Sequence, residues 1–286
     1  MSIVPCFSCE VCVGPTQAQC EAFSTWLWSW YVEQRRSFVW REQITPYIVF
    51  VSEVMLQQTQ TKRVAEKLPI FLERFGTFNE LAQATNAEIL SAWQGFGYNR
   101  RALYIRDAAR AIVNDFGGIL PDIPDILCAL PGIGPATAAS ICAYAYNKPA
   151  LFVETNIRTV LLYVFFPTQE KVADPLLLQT MRVLVPQNNV REWYYAMTDL
   201  GVFIKKEYGN HNRRSTAYTK QSKFEGSRRQ VRGGILKQLL ELPNQTVEEL
   251  AIALRRPPNE VSSVLSELEH EGFITLSSQA LWSCFE

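Results

Sequence analysis

Leu130-Pro-Gly-Ile-Gly-Pro-Ala-Thr-Ala-Ala-Ser-Ile-Cys-Ala-Tyr-Ala-Tyr146 carries most of the information about this chain's architecture. Gly132 and Gly134 permit a sharp turn and close backbone approach, and Pro135 falls where a first-turn proline belongs. Helical segments flank the turn at 125–129 and 135–146. The charge-free run 126–147 is long enough for a membrane span, but Pro131, Gly132, Gly134 and Pro135 break its middle. It therefore reads as two short buried helices around a tight turn. Amides opening the second helix have no intrahelical acceptors and make an anion site. Two readings stand at this point: an ordinary αα-hairpin closed by glycine, or a turn that holds a phosphate.

Outward from the hairpin the pattern is helical from Ala18 to about Lys220. Phe23, Trp26, Leu27, Trp30 and Tyr31 recur at i, i+3, i+4 spacing. Thr77-Phe-Asn-Glu80 and Thr85-Asn-Ala-Glu88 read as capping boxes, and strand signals are nearly absent. Beyond the Lys205–Arg232 segment the pattern predicts helices over 230–242, after Thr246 and over 259–271. A hairpin follows, pairing 273–276 with 280–282. This end resembles a winged helix-turn-helix. Its third helix carries Glu260, Glu267, Glu269 and Glu271 without one Lys or Arg, which opposes base reading there and favours a packing or protein-partner role.

The chain has 286 residues, enough for one large or two ordinary domains. At 48% hydrophobic and 20% charged it is globular, and 28 basic residues balance 28 acidic ones. A uniformly basic coat is thus excluded. The balance is local, since residues 205–232 hold nine Lys/Arg against two Glu. That strip is either a solvated linker or a phosphate-facing surface. No signal peptide is legible, and the expected setting is cytoplasmic for a bacterial chain and nuclear otherwise, without a membrane. Cys6, Cys9, Cys12 and Cys20 cluster and could hold zinc or an iron–sulfur cluster, but the spacing to Cys20 fits no standard site, and free thiols are the favoured reading.

Two carboxylates stand out. Glu53 is the only charge in Tyr47–Leu56, eight of whose ten residues are apolar or aromatic. A carboxyl in apolar surroundings has a raised pKa and suits a general acid; otherwise Glu53 faces outward or pairs with an Arg. Glu154 ends an apolar run ahead of Asn156 and Arg158, and by itself it could be a favourable acid at a helix N-terminus.

Val51-Ser-Glu-Val-Met-Leu-Gln-Gln-Thr-Gln60, Trp93-Gln-Gly-Phe-Gly-Tyr98, Leu130-Pro-Gly-Ile-Gly134 and Val153-Glu-Thr-Asn-Ile-Arg158 together resemble the A/G-mismatch adenine DNA glycosylases. These belong to the helix-hairpin-helix glycosylase superfamily that includes endonuclease III. Trp40-Arg41 and Pro46-Tyr47 extend the match upstream. The resemblance implies an all-α helix-hairpin-helix DNA glycosylase fold over 18–204, in two helical lobes. An N-terminal extension (1–17), a basic linker (205–229) and a winged-helix-like domain (230–286) surround it. It implies that Glu53 protonates adenine, that Glu154 stabilises the oxocarbenium ion and that Asn156 stands beside it. Trp40, Arg41 and Leu56 would enclose the extruded base. Gln58, Thr59, Phe96 and Tyr98 would wedge the duplex and contact the opposite base. Pro131, Gly132, Gly134, Lys205, Lys206, Arg213 and Arg214 would hold phosphates. The expected partner is double-stranded DNA with a mismatched or oxidised base.

Departures from the family pattern matter as much. Glu154 replaces an Asp, and Tyr195 stands where an acidic or amide residue is common. No cysteine follows Asp199-Leu-Gly201 where four cluster ligands should stand, so no iron–sulfur cluster is expected. No cofactor is expected either, a monovalent cation at the hairpin backbone being the one ion allowed for. In place of the family's Nudix-like domain that recognises 8-oxoguanine, a winged-helix-like end is expected. Ala136 occupies the place of the lyase lysine, so the expected activity is monofunctional. Two further readings stay open: a thymine or uracil mismatch glycosylase, and a catalytically weakened DNA-binding module.

Overall fold

The structure, a computed structural model, describes residues 4–7, 14–220 and 223–285. Its helices in chain order are α1 (Gln17–Gln34), α2 (Val39–Glu42), α3 (Pro46–Leu56), α4 (Thr61–Arg74) and α5 (Phe78–Gln83). Then come α6 (Asn86–Ala92), α7 (Arg100–Phe116), α8 (Pro124–Cys128), α9 (Pro135–Tyr146) and α10 (Thr155–Val164). The last five are α11 (Asp174–Leu184), α12 (Val190–Glu207), α13 (Arg228–Glu241), α14 (Val247–Leu254) and α15 (Pro258–His270). A two-stranded antiparallel hairpin, β1 (Ile274–Leu276) and β2 (Trp282–Cys284), closes the chain. The all-α expectation holds for residues 18–204. Among the described residues no helix is long and apolar enough to cross a membrane.

The described chain forms two compact units. The first comprises Met1–Glu53 and Leu120–Lys220. Its core joins Phe23, Leu27 and Trp30 of α1 to Val160 and Leu161 of α10 and Trp193, Met197 and Leu200 of α12, all buried. In α1 and α12 the three-to-four-residue spacing puts each set on one helix face. Thr16 and Gln19 form a reciprocal capping box that fixes where α1 begins. α12 presses closest on the start of α10 at Gly201. A Cβ built there would lie 2.2 Å from the Asn156 carbonyl oxygen.

The second unit comprises Val54–Ile119 and Gln221–Glu286. Ala102, Ile105, Ala108, Ala109 and Ile112 give α7 a buried face. Thr85 and Glu88 cap α6 reciprocally. At α5 the box is shifted: Thr77 caps Glu80, but the Glu80 carboxylate accepts from the Gly76 amide, one residue earlier than the pattern expects. α13, α14 and α15 enclose Ile235, Leu239, Leu250, Val264 and Phe273. The three C-terminal helices are therefore present.

Two expectations about this C-terminal end change. The expected second strand at 280–282 lies two residues later, because Ala280 adopts φ 58 and belongs to the turn. Nor do contacts isolate 230–286 as a separate body. Arg100 on α7 pairs with Glu271 at 3.0 Å, and Asn86 donates to the Gly272 carbonyl at 3.4 Å, tying the end of α15 to the 54–119 segment. These polar ties join residues distant in sequence, which periodicity does not register.

Candidate active site

α3 enters the first unit's core with Phe50 and Val51 buried, and Glu53 is its one charged residue. The carboxyl is part-buried. Ser140 on α9 lies 2.5 Å from Glu53 Oε2. Burial pushes the Glu53 pKa up to about 7; the Ser140 hydrogen bond and Arg41 oppose that rise, and Glu154 adds to it. A carboxyl poised there holds a proton near neutral pH and can give it up, as a general acid must.

Glu154 is the N-cap of α10. Its Oε1 accepts the Ile157 amide at 3.1 Å and its Oε2 accepts from the Asn156 side-chain amide at 3.3 Å. The methylene that distinguishes it from Asp is thus taken up by a fold back over its own helix. Burial raises its pKa, while the Asn156 and Ile157 hydrogen bonds lower it. A carboxylate at a positive helix end is well placed to face a developing cation. Glu154 is therefore a helix cap, and it lies within electrostatic reach of Glu53.

Arg41 is buried and makes a two-pronged pair with Asp199 at 2.8 and 2.9 Å. Its guanidinium lies 4.3 Å from the centroid of Tyr195, which stacks on Tyr144 at 4.9 Å. Arg36 also donates to Asp199 at 2.7 Å. Asp199 thereby anchors two arginines, a role sequence reading missed although the residue stood in a recognised string. Tyr144 has its pKa raised well above the ordinary value, by burial first and by Glu53 next. Trp40 is 5% exposed and stacks face to face on Phe38 at 4.7 Å. The structure thus gathers Glu53, Glu154, Asn156 and Arg41 in one unit, with Trp40 beside Arg41 in α2.

The hairpin has the expected form. Gly132 takes φ +75, Gly134 caps α9 and Pro135 opens it. Gly132 and Gly134 are exposed, Pro131 is half-buried, and Leu130 and Ile133 anchor the turn in the core. Ala136 is exposed, and Lys148, past the end of α9, is paired with Asp122.

Leu56, Gln58, Thr59, Phe96 and Tyr98 belong to the second unit. Gln58 and Tyr98 sit on exposed turns in the left-handed region, at φ 54 and 48, which non-glycine residues rarely adopt. One buried side chain holds both turns. Arg101 donates to the Val54, Met55 and Gln57 carbonyls and to Thr59 Oγ1 on one side, and to the Phe96 and Gly97 carbonyls on the other. Burial lowers its pKa to about 10. Phe96 departs from expectation: it is 4% exposed and packs on Trp93 at 4.9 Å, so it supports the turn from below. Leu56 is half-buried at the end of α3.

The basic strip divides. Lys205, Lys206 and Arg213 are exposed. Arg214, expected at phosphate, instead donates to the Leu162, Phe166, Pro167 and Gln169 carbonyls. Four acceptors from one chain reversal outcompete a solvent-side ligand. The same segment contains no thiol, and Asn212 is buried against Thr159 at 2.8 Å. Residues in this place do not fit an iron–sulfur cluster. Arg228 and Arg232 pair with Glu267 at 2.6 and 3.3 Å, and Arg232 pairs with Glu271 at 2.6 Å. Glu267 of α15 and Glu271 at its C-cap are thus matched by arginines of α13. Of the clustered cysteines, Cys6 is exposed and Cys20 buried. Cys9 and Cys12 lie outside the described residues.

Comparison with known proteins agrees with this geometry. Residues 51–184 match the model of the HhH-GPD superfamily base excision DNA repair proteins. An adenine DNA glycosylase of Mycobacterium tuberculosis is 38% identical over 135 residues, covering 47% of this chain and 44% of that protein. One from Mycolicibacterium smegmatis is 33% identical over 180 residues, covering 62% and 61%. The chain therefore spans about half the length of these relatives. A thermostable thymine-DNA glycosylase superposes with a TM-score of 0.57 at 23% identity, over 64% of this chain and 86% of that one, a likeness of fold. Residues 51–184, which hold both Glu53 and Glu154, thus match the HhH-GPD superfamily, and the chain is similar in sequence to the adenine DNA glycosylases.

Proposed function

We propose that this protein is a DNA N-glycosylase of base-excision repair that releases adenine mispaired with guanine or 8-oxoguanine. The observation that carries the reading is a carboxyl poised near pH 7 beside a second, helix-capping carboxylate. The glycosidic bond is unreachable inside the stack, so the nucleotide is first extruded. Glu53 gives its proton to the base as the sugar–base bond breaks and its electron pair leaves with adenine. Glu154, steadied by Asn156, stabilises the cation on the sugar, and water supplies the new oxygen at C1′ and loses a proton to solvent, as in glycoside hydrolysis.

Positioning follows the same division of labour. Exposed Gln58 and Tyr98 meet the opened duplex, and the hairpin with Lys205, Lys206 and Arg213 takes the backbone without reading sequence. The reaction is hydrolytic, since Ala136 offers no nucleophile. No iron–sulfur cluster takes part, and a monovalent cation at the hairpin backbone is the one ion the reading allows. The winged-helix-like end serves packing or a protein partner.

Base release from duplexes carrying A opposite 8-oxoguanine, A·G, T·G and U·G tests the reading. Adenine release that Glu53→Gln abolishes while duplex binding persists is the expected result. Release of pyrimidines alone, or more than a few per cent of wild-type rate in Glu53→Gln, would refute it.

A further inference from the structure

Ser140 is an unassigned polar group in the apolar, alanine-rich wall of α9. It is 4% exposed, and its Oγ lies between two acceptors: Glu53 Oε2 at 2.5 Å and the Thr137 carbonyl oxygen at 3.0 Å. A hydroxyl has one hydrogen and cannot donate to both at once. While Glu53 is protonated, the Ser140 hydrogen can rest on Thr137 and the oxygen can accept. Once Glu53 is ionised, the only arrangement that satisfies the carboxylate is donation to Oε2.

We propose that Ser140 is a positioning residue that sets the acid strength of Glu53, by rotating its hydroxyl from Thr137 onto Oε2 as the proton leaves. The inference rests on the glycosylase reading for its purpose, though not for its geometry. In balanced form, the proton passes from Glu53 to a nitrogen of the departing base, which also takes the glycosidic electron pair. The carboxylate left behind gains a charge-assisted hydrogen bond that the acid lacked. A group that stabilises the product of proton transfer more than the reactant lowers the barrier between them.

Other groups facing Glu53 act in fixed directions. Glu154, at the N-terminus of α10, raises its pKa, and Arg41 of α2 lowers it. Tyr144 of α9 and Tyr195 of α12 couple to it, each having its own pKa raised partly by Glu53. α3 contributes no other charge. Of all these, only Ser140 donates a hydrogen bond to the carboxyl among the described residues, and it opposes the burial that pushes the acid up.

The test uses the full chain labelled with 13C at the glutamate carboxyls, the Glu53 signal being identified by its loss in Glu53→Gln. Removing the donor in Ser140→Ala should move the Glu53 midpoint upward by about one to two pH units. Ser140→Thr, which keeps the hydroxyl, should restore it. Single-turnover adenine release should fall in Ser140→Ala, and its alkaline limb should shift upward by the same amount. A purely structural role would lower the rate without moving either midpoint. An unmoved midpoint in a Ser140→Ala protein that melts like wild type would overturn the inference. Absence of adenine release in the wild type would overturn the glycosylase reading instead, and the titration would still decide the role of Ser140.

Discussion

Gly201→Ala is the sharpest single test of how α10 is held. A Cβ at this position would lie 2.2 Å from the Asn156 oxygen, 2.6 Å from its carbonyl carbon and 2.7 Å from its Cα. These are backbone atoms, so no side chain can swing aside. α10 or α12 must recede by roughly 1 Å to restore ordinary contact. Overpacking of this kind costs about 3 kcal/mol, and alanine's better helix propensity returns up to ~1 kcal/mol. The net of about 2 kcal/mol corresponds to a melting point lower by roughly 4–8 °C in a domain of this size. Activity should suffer more, because Asn156 and Glu154 move with the backbone and a ~1 Å error costs ~100-fold in rate. Gly233 in α13 is the matched control, since a Cβ there meets nothing within 4 Å. Gly233→Ala should be neutral or stabilising by up to ~1 kcal/mol. Thermal melts and single-turnover kinetics of the two variants decide the matter. A Gly201→Ala protein that melts and turns over like Gly233→Ala would show that the close approach does not position the site.

Glu53 has its pKa raised in the folded state from 4.5 to about 7, so its contribution to stability is fully present below pH 4.5 and lost as pH rises through 7. Glu53→Gln should therefore gain stability relative to wild type between pH 5 and pH 8, by on the order of 2 kcal/mol after allowance for partial exposure. Melts at the two pH values that show an equal difference would remove the case for a strained acid. Glu154→Asp should match or exceed wild-type activity, since Asp is a strong N-cap and carries the same charge, whereas Glu154→Gln should lose most of it. Comparable rates for Glu154→Gln and wild type would assign the cation to another group. Borohydride should trap no protein–DNA adduct during turnover, and strands should break only after alkali or heat. Efficient trapping would mean that a lysine other than one at 136 had been recruited.

Local chemistry made much of this protein legible in its sequence. The Leu130–Gly134 turn, the Thr85 and Thr246 capping boxes and the buried face of α1 all depend on residues within about four positions of one another. Helix periodicity and turn stereochemistry act over that range, so reading them in order suffices. Glu53 was conspicuous for the same reason, as the single charge on an apolar helix. Only the tertiary structure brought Ser140 to Glu53 across 87 positions, Arg41 to Asp199 across 158, and Arg101 onto carbonyls at Val54 and Met55. It also turned Arg214 inward, sank Phe96 beneath its turn and moved the last strand by two residues. These outcomes share a cause. A polar group's partner is chosen by which unsatisfied acceptor the packed backbone leaves within about 3 Å, and that depends on where distant helices come to rest.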